Sequence, residues 1–138
     1  MRHILSVSEL LTIQANENST LQSYRNFYLA MFSFVLFFTT INQINNSRIL
    51  FLLFALPFVG LMLLLKIQEN RVTVVEHYCK TGGLSLDEYL KEIRGIRIQL
   101  PKKYKKEQNV IFGARWIFSL LRWITAITYL VLMLLSFK

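Results

Sequence analysis

Arg115, Ser119, Arg122, Tyr129 and Ser136 recur at steps of three, four and seven. A helix places them on one stripe, with Thr125 and Thr128 on its margins. The rest of that helix is Ile117, Leu120, Leu121, Ile124, Ile127, Leu130, Val131 and Leu134. Polar side chains in so apolar a helix face a bundle interior or an aqueous path. A ring of Arg122 side chains around an axis would repel cations and favour anions. The competing reading is interfacial. The helix from Arg122 to Lys138 spans about 24 Å at ~1.5 Å per residue, which sets Arg122 near a headgroup layer. Arg115 and Arg122 would then snorkel to phosphates, with Trp116 and Trp123 as an aromatic belt. Spacing leaves both readings open.

Lys102, Lys103, Lys105 and Lys106 form the densest charge cluster. Near an anionic leaflet each is worth roughly 1 kcal/mol. Such a cluster also suits nucleic acid. No Gly-rich phosphate loop or aromatic stacking array accompanies it, so anionic lipid is the expected partner and nucleic acid is not. Pro57 and Gly60 offer a hinge in an apolar run, or a kink that serves packing. Glu76, His77, Tyr78 and Cys79 are adjacent, and adjacent residues on a helix point apart. Gly-x-Ser-x-Gly, His-Glu-x-x-His, Cys-x-x-Cys and paired-acid motifs are absent. The expectation is therefore no enzyme, no cofactor and no metal. No carboxylate falls inside an apolar run, which argues against proton-coupled transport. A single cysteine leaves no internal disulfide framework.

The elements that carry these residues follow from hydropathy. Phe27–Ile41, Ile49–Leu65 and Trp123–Phe137 contain no Asp, Glu, Lys or Arg, whereas 66–115 carries eleven Lys/Arg. Hydrophobic residues make up 54% of a chain of formal net charge +8, and the mean hydropathy is +0.40. Backbone groups in lipid must be satisfied within the segment, and period-2 alternation is absent, so the runs read as helices. Ile49–Leu65 reaches about 26 Å at ~1.5 Å per residue, just short of a hydrocarbon core of about 30 Å.

The sequence thus predicts an all-α membrane protein with three transmembrane helices, a two-helix hairpin plus a C-terminal span, and a small basic cytoplasmic insert. It is expected to form one membrane domain. Residues 1–20 form an amphipathic segment, 21–41 the first span, 49–65 the second, 66–114 the insert and 115–137 the third. Ser6 and Glu9 fit a capping box. Val7, Leu10, Leu11 and Gln14 then share a face, suited to a membrane surface or a neighbour. Asn16–Thr20 is expected to interrupt that helix, with Ser19 or Thr20 capping the next. Phe27, Phe34, Phe38 and Ile41 share a face expected to pack against another helix. Residues 42–48 form a polar connection. Ile67, Arg71, Val74, Val75 and Tyr78 extend the second helix to a glycine cap at Thr81–Gly83. Ser85 and Glu88 make a second capping box, opening a helix with Leu86, Tyr89, Leu90 and Ile93 on one face. Ile96–Leu100 alternates like a strand and stops at Pro101.

Lysine and arginine counts set the expected orientation. The 42–48 connection and the C-terminus have one each, Arg48 and Lys138. The insert and the N-terminus are therefore expected in the cytoplasm, the C-terminus outside the inner membrane. The first run reads as an uncleaved anchor.

Gln22-Ser-Tyr-Arg-Asn-Phe27 enters the first span, and a helix leaves the second through Asn70 and Arg71. In this layout the chain resembles two groups of small bacterial membrane proteins: the SLATT-type effectors of nucleotide-signalled phage defence and the RipA-like octameric membrane proteins. The resemblance implies homo-oligomerisation and control by a cytoplasmic regulator protein or nucleotide signal. It supplies no site residues. The expected function is a homo-oligomeric inner-membrane protein, a pore-forming or membrane-perturbing effector controlled through its basic loop. The alternative is a non-conducting scaffold or accessory subunit that recruits a partner to the membrane.

Overall fold

Both capping boxes form. The Glu9 N–H donates to the Ser6 hydroxyl at 3.3 Å, and the Ser6 N–H donates to Glu9 Oε2 at 2.7 Å. Ser85 and Glu88 repeat the exchange at 3.2 and 3.3 Å. The computed structural model describes residues 2–42, 48–95, 98–104 and 114–138, with backbone alone at 42 and 114–116. Its helices are α1 (Val7–Asn42), α2 (Arg48–Thr81), α3 (Leu86–Glu88), which runs into a π-helical turn at Tyr89–Ile93, and α4 (Ala114–Ser136). They fall into two compact units. The first comprises Met1–Tyr24 and Leu63–Ile111, the second Arg25–Met62 and Phe112–Lys138.

The first unit has a core of its own. Leu5, Leu10, Val74, Val75, Leu84, Tyr89, Ile93, Leu100 and Tyr104 are buried together. The chain before α1 is tied down by an antiparallel bridge between Ile4 and Ser85. In it the Leu5 N–H donates to the Leu84 carbonyl at 2.9 Å and the Leu86 N–H to the His3 carbonyl at 3.0 Å. α2 ends where expected, with Gly82 at φ 72° and its N–H on the Tyr78 carbonyl at 2.8 Å. That left-handed backbone favours glycine because it has no Cβ.

Four expectations are corrected here. α1 does not break at Asn16–Thr20. The Thr20 hydroxyl donates back to the Asn16 carbonyl and Ser23 to Ser19, each at 3.0 Å, so neither Ser19 nor Thr20 caps a new helix. Glu17 instead accepts from Gln68 Nε2 and, at 3.4 Å, from the Tyr89 hydroxyl. The Val7–Leu10–Leu11 face splits, with Leu10 in the core and Val7 and Leu11 exposed. Leu86 and Leu90 are also exposed while Tyr89 and Ile93 are buried. The Arg94 N–H reaches back five residues to the Tyr89 carbonyl, which widens the turn, and the buried face narrows to Tyr89 and Ile93. The strand expected over 96–100 is absent from its described part, 98–100. The Ile98 carbonyl accepts from Asn70 Nδ2 at 3.2 Å instead of from a partner strand.

The second unit is built from α1 beyond Arg25, α2 up to Met62, and α4. None of the eight Asp and Glu residues lies in Arg25–Met62 or Phe112–Lys138. Among the described residues, two helices are long and apolar enough to cross a membrane, Arg48–Thr81 and Ile117–Ser136. Only 17% of the residues in either apolar window are buried, which is not how the core helix of a water-soluble bundle looks. α1 is not one of those two helices: its uncharged run Phe27–Ile41 is directly preceded by Arg25 and Asn26 and followed by Asn42. Pro57 lies within continuous helix and on its exposed side. Phe27, Phe34, Phe38 and Ile41 are exposed. Their face does not pack into the protomer as expected, apart from a Phe34–Phe54 ring contact at 5.6 Å.

Candidate functional site

In the second unit many large apolar side chains face outward, while the polar stripe of α4 from Arg122 to Ser136 is buried, as are Val35, Phe51 and Phe58. Leu56 is 82% exposed and Ile49 72%, whereas Ser136 is 0% and Thr125 6%. The stripe on α4 meets α1 and α2. Its Thr125 hydroxyl lies 2.6 Å from the Tyr28 hydroxyl, and both lie on the Arg122 carbonyl, at 2.8 and 3.2 Å. The Tyr129 hydroxyl donates to the Phe51 carbonyl at 2.5 Å. Its ring stacks on Phe58 at 4.5 Å and meets Phe51 edge-on at 5.4 Å. Ser136 donates to the Met133 carbonyl at 2.6 Å, while Arg48 Nε donates to the Ser136 carbonyl at the same distance. Arg48 thereby satisfies one of the carbonyls that the end of α4 leaves without an intrahelical partner.

Arg122 is buried with this stripe, and Ser119 is half-buried. The side chain of Arg115 lies outside the described residues. One turn before Arg122, the Phe118 ring carries the Arg25 guanidinium over its face at 4.1 Å, an arrangement that holds a cation against an apolar surface. Stripe residues from Arg122 to Ser136 thus meet α1 and α2 of their own protomer. Gly60 has open space around the position a Cβ would take. Neither it nor exposed Pro57 is required by packing inside the protomer.

A second polar constellation lies in the first unit. Glu92, on the π-helical turn, accepts from the Tyr78 hydroxyl on one oxygen and the Tyr104 hydroxyl on the other, both at 3.3 Å. The two hydroxyls are 3.2 Å apart. Lys103 Nζ is 3.4 Å from Glu92 Oε1 and lies over the Tyr104 ring at 4.6 Å. His77 packs edge-on against Tyr78 and Tyr104 at 5.5 and 5.2 Å. Burial opposes ionisation of Glu92, but Lys103 and the tyrosine donors outweigh it and hold its pKa low. Burial, then the neighbouring Tyr104 and Glu92, push the Tyr78 hydroxyl well up.

Of the expected lysine cluster, Lys102 is exposed and Lys103 is engaged as described; Lys105 and Lys106 lie outside the described residues. Cys79 donates its thiol to the Leu10 carbonyl at 3.6 Å. Burial and then Glu76 raise its pKa, which makes it a packing residue and a poor nucleophile. Among the described residues no group of three His, Cys, Asp or Glu could hold a metal ion.

Sequence reasoning missed Glu92 and Tyr104 because their meeting depends on the turn geometry between them. It missed Glu17 because a polar pentad reads as a break. Its one available signal was Gln68, a polar residue on the inward side of the extended second helix. No family model, curated protein or solved structure matches this chain.

Proposed function

We propose that this is an inner-membrane protein whose second unit sits in the bilayer as a three-helix anchor and whose first unit works at the cytoplasmic surface. On this reading α1 supplies the third span, the N-terminus is cytoplasmic and the C-terminus external. The lysine cluster meets anionic headgroups. Of the two roles open to such a protein, a non-conducting scaffold or accessory subunit is the better supported.

One observation carries that choice. The polar stripe from Arg122 to Ser136 is occupied by its own protomer, through Tyr28, Phe51, Phe58 and Arg48. A pore lined by α4 would need those contacts broken and the stripe rotated outward. Meanwhile the large exposed side chains of α2 from Ile49 to Leu64, of α4 from Ile117 to Leu135 and of Phe137 just beyond it are Leu, Ile, Val, Phe and Trp123, as a lipid-facing surface requires. The first unit supplies what a scaffold needs, a separate core with Ile4, Val7, Leu11, Leu86 and Leu90 left exposed for contact.

Reconstitution tests this. Purified protein at verified density in liposomes should pass no more ions than empty liposomes, and Arg122→Glu should change nothing that correctly inserted protein does to flux. Protein-dependent flux whose ion preference inverts with Arg122→Glu would restore the pore. Mass measurement in nanodiscs reads the homo-oligomeric state in the same preparation.

A further inference from the structure

Glu92 and Lys103 are held unequally. The Glu92 side chain is 20% exposed and the Lys103 side chain 60%. Tyr78 and Tyr104 fix the carboxylate from two sides, and Tyr104 is itself fully buried. The acid therefore stays while the base is free to leave. Lys103 belongs to the densest cationic cluster of the chain, next to exposed Lys102. A solvent-facing ion pair and a single lysine–leaflet contact are interactions of similar, modest strength. A bilayer thus competes with Glu92 for Lys103 on nearly equal terms.

We propose that Glu92 is an autoinhibitory counter-ion for Lys103: it withholds this lysine from anionic membrane surfaces and releases it when a phosphate-bearing leaflet comes within reach. This rests on the reading above that the lysines meet anionic lipid. The anchored carboxylate makes the contact reversible. When Lys103 leaves, Glu92 keeps both tyrosine donors, so the 100–104 segment remains docked through Tyr104. The consequence is a threshold: weakly charged surfaces leave Lys103 on Glu92, and strongly charged ones take it.

The test uses the full chain in neutral phosphatidylcholine nanodiscs. Binding is measured to vesicles of phosphatidylcholine and phosphatidylglycerol in a three-to-one ratio. Glu92→Gln removes the charge, keeps an acceptor oxygen for one tyrosine and turns an amide N–H toward the hydroxyl oxygen of the other. It should tighten binding roughly fivefold, the worth of one freed lysine. In a Lys103→Gln background the same change should alter affinity by less than about twofold, since a coupled pair loses its effect when one member is gone. Asp87→Asn removes one charge from an exposed neighbour and should act equally in both backgrounds. If Glu92→Gln binds no tighter, or tightens as much without Lys103, the counter-ion role is wrong. If replacing Lys102, Lys103, Lys105 and Lys106 together by Gln leaves binding intact, the lipid reading itself falls. If that quadruple change abolishes binding while Glu92→Gln merely matches Asp87→Asn, only the counter-ion role falls. Inorganic phosphate at matched ionic strength should not compete; competition would assign the cluster to a soluble anion instead. A variant-free check is the acetylation of unmodified protein by an impermeant ester, read by peptide mass. Lys103 should react more slowly than Lys102 in neutral nanodiscs, and equal rates would contradict the contact.

Discussion

Tyr129 separates the inward reading of the α4 stripe from the outward one in a single pair of substitutions. Tyr129→Phe removes only the hydroxyl that donates to the Phe51 carbonyl and keeps the ring contacts with Phe51 and Phe58. Hydrogen bonds between membrane helices are worth about 0.6 kcal/mol on average and about 1.7 at most, so a cost of about 1 kcal/mol is expected. Tyr129→Ala also removes a ring that is 5% exposed. Aromatic pairs contribute ~0.5–1.5 kcal/mol each, and truncating a buried aromatic leaves a cavity, so the total should reach about 3–5 kcal/mol. The controls are Ile127→Ala and Leu130→Ala, whose side chains are exposed on the same helix and should cost about 0.5 kcal/mol or less. The assay is denaturant unfolding in mixed micelles, followed by helical circular dichroism. A stripe facing a water-filled axis between copies would make Tyr129→Ala as mild as the controls. That result would refute the packing argument.

Other outcomes follow from particular contacts. Glu17→Ala removes the carboxylate that Gln68 and Tyr89 share but leaves Gln68 Nε2 on the backbone carbonyl of residue 17, and should destabilise the first unit by about 1 kcal/mol, read as faster amide exchange over Val72–Val75. Glu92 has a folded pKa below its ordinary value. Its contribution is therefore complete above the unfolded value and is lost as pH falls through the lower folded one; Glu92→Gln should lower stability at neutral pH and flatten the acid limb of a stability–pH curve, so that the variant and the unmodified protein converge at low pH. Gly60→Ala meets no neighbour and should stabilise α2 by up to about 1 kcal/mol. A loss of function with stability retained would identify Gly60 as a working hinge. For topology, a cysteine placed at 138 in a Cys79→Ser background should react with an impermeant maleimide in intact cells. Cys79 itself is a slow reporter because its thiol pKa is raised, and it should label only after the membrane is opened and the pH is raised.

Local signals carried much of this fold. Both capping boxes, the glycine end of α2 and the apolar runs follow from residue type and spacing, because caps and hydropathy act over a few residues. The alternation at 96–100 misled, since a strand needs a partner and the Ile98 carbonyl is taken by Asn70. Asn16–Thr20 misled for the opposite reason. Poor helix formers stay helical when a tertiary contact holds them, as Glu17 is held by Gln68 and Tyr89. The stripe from Arg122 to Ser136 was visible as a stripe, but its partners were not. Helical spacing says which side chains share a face and nothing about what meets it. Tyr28 and Phe51 come from sites 97 and 78 residues away from their partners. The Glu92 cluster was the least visible, because it joins a π-helical turn to Tyr78 on α2 and to Tyr104, and the sequence carries no mark of that turn or of those partners.

Spin labels along α4 test the central claim most directly. Single cysteines at 125, 127, 129 and 130, in a Cys79→Ser background in nanodiscs, can be probed with oxygen, which partitions into lipid, and with a water-soluble nickel chelate. Labels at 127 and 130 should collide with oxygen and not with nickel. Labels at 125 and 129 should be sheltered from both, since Thr125 and Tyr129 face α1 and α2 of the same protomer. Strong nickel collisions at 125 and 129 would place water along the stripe and contradict the account.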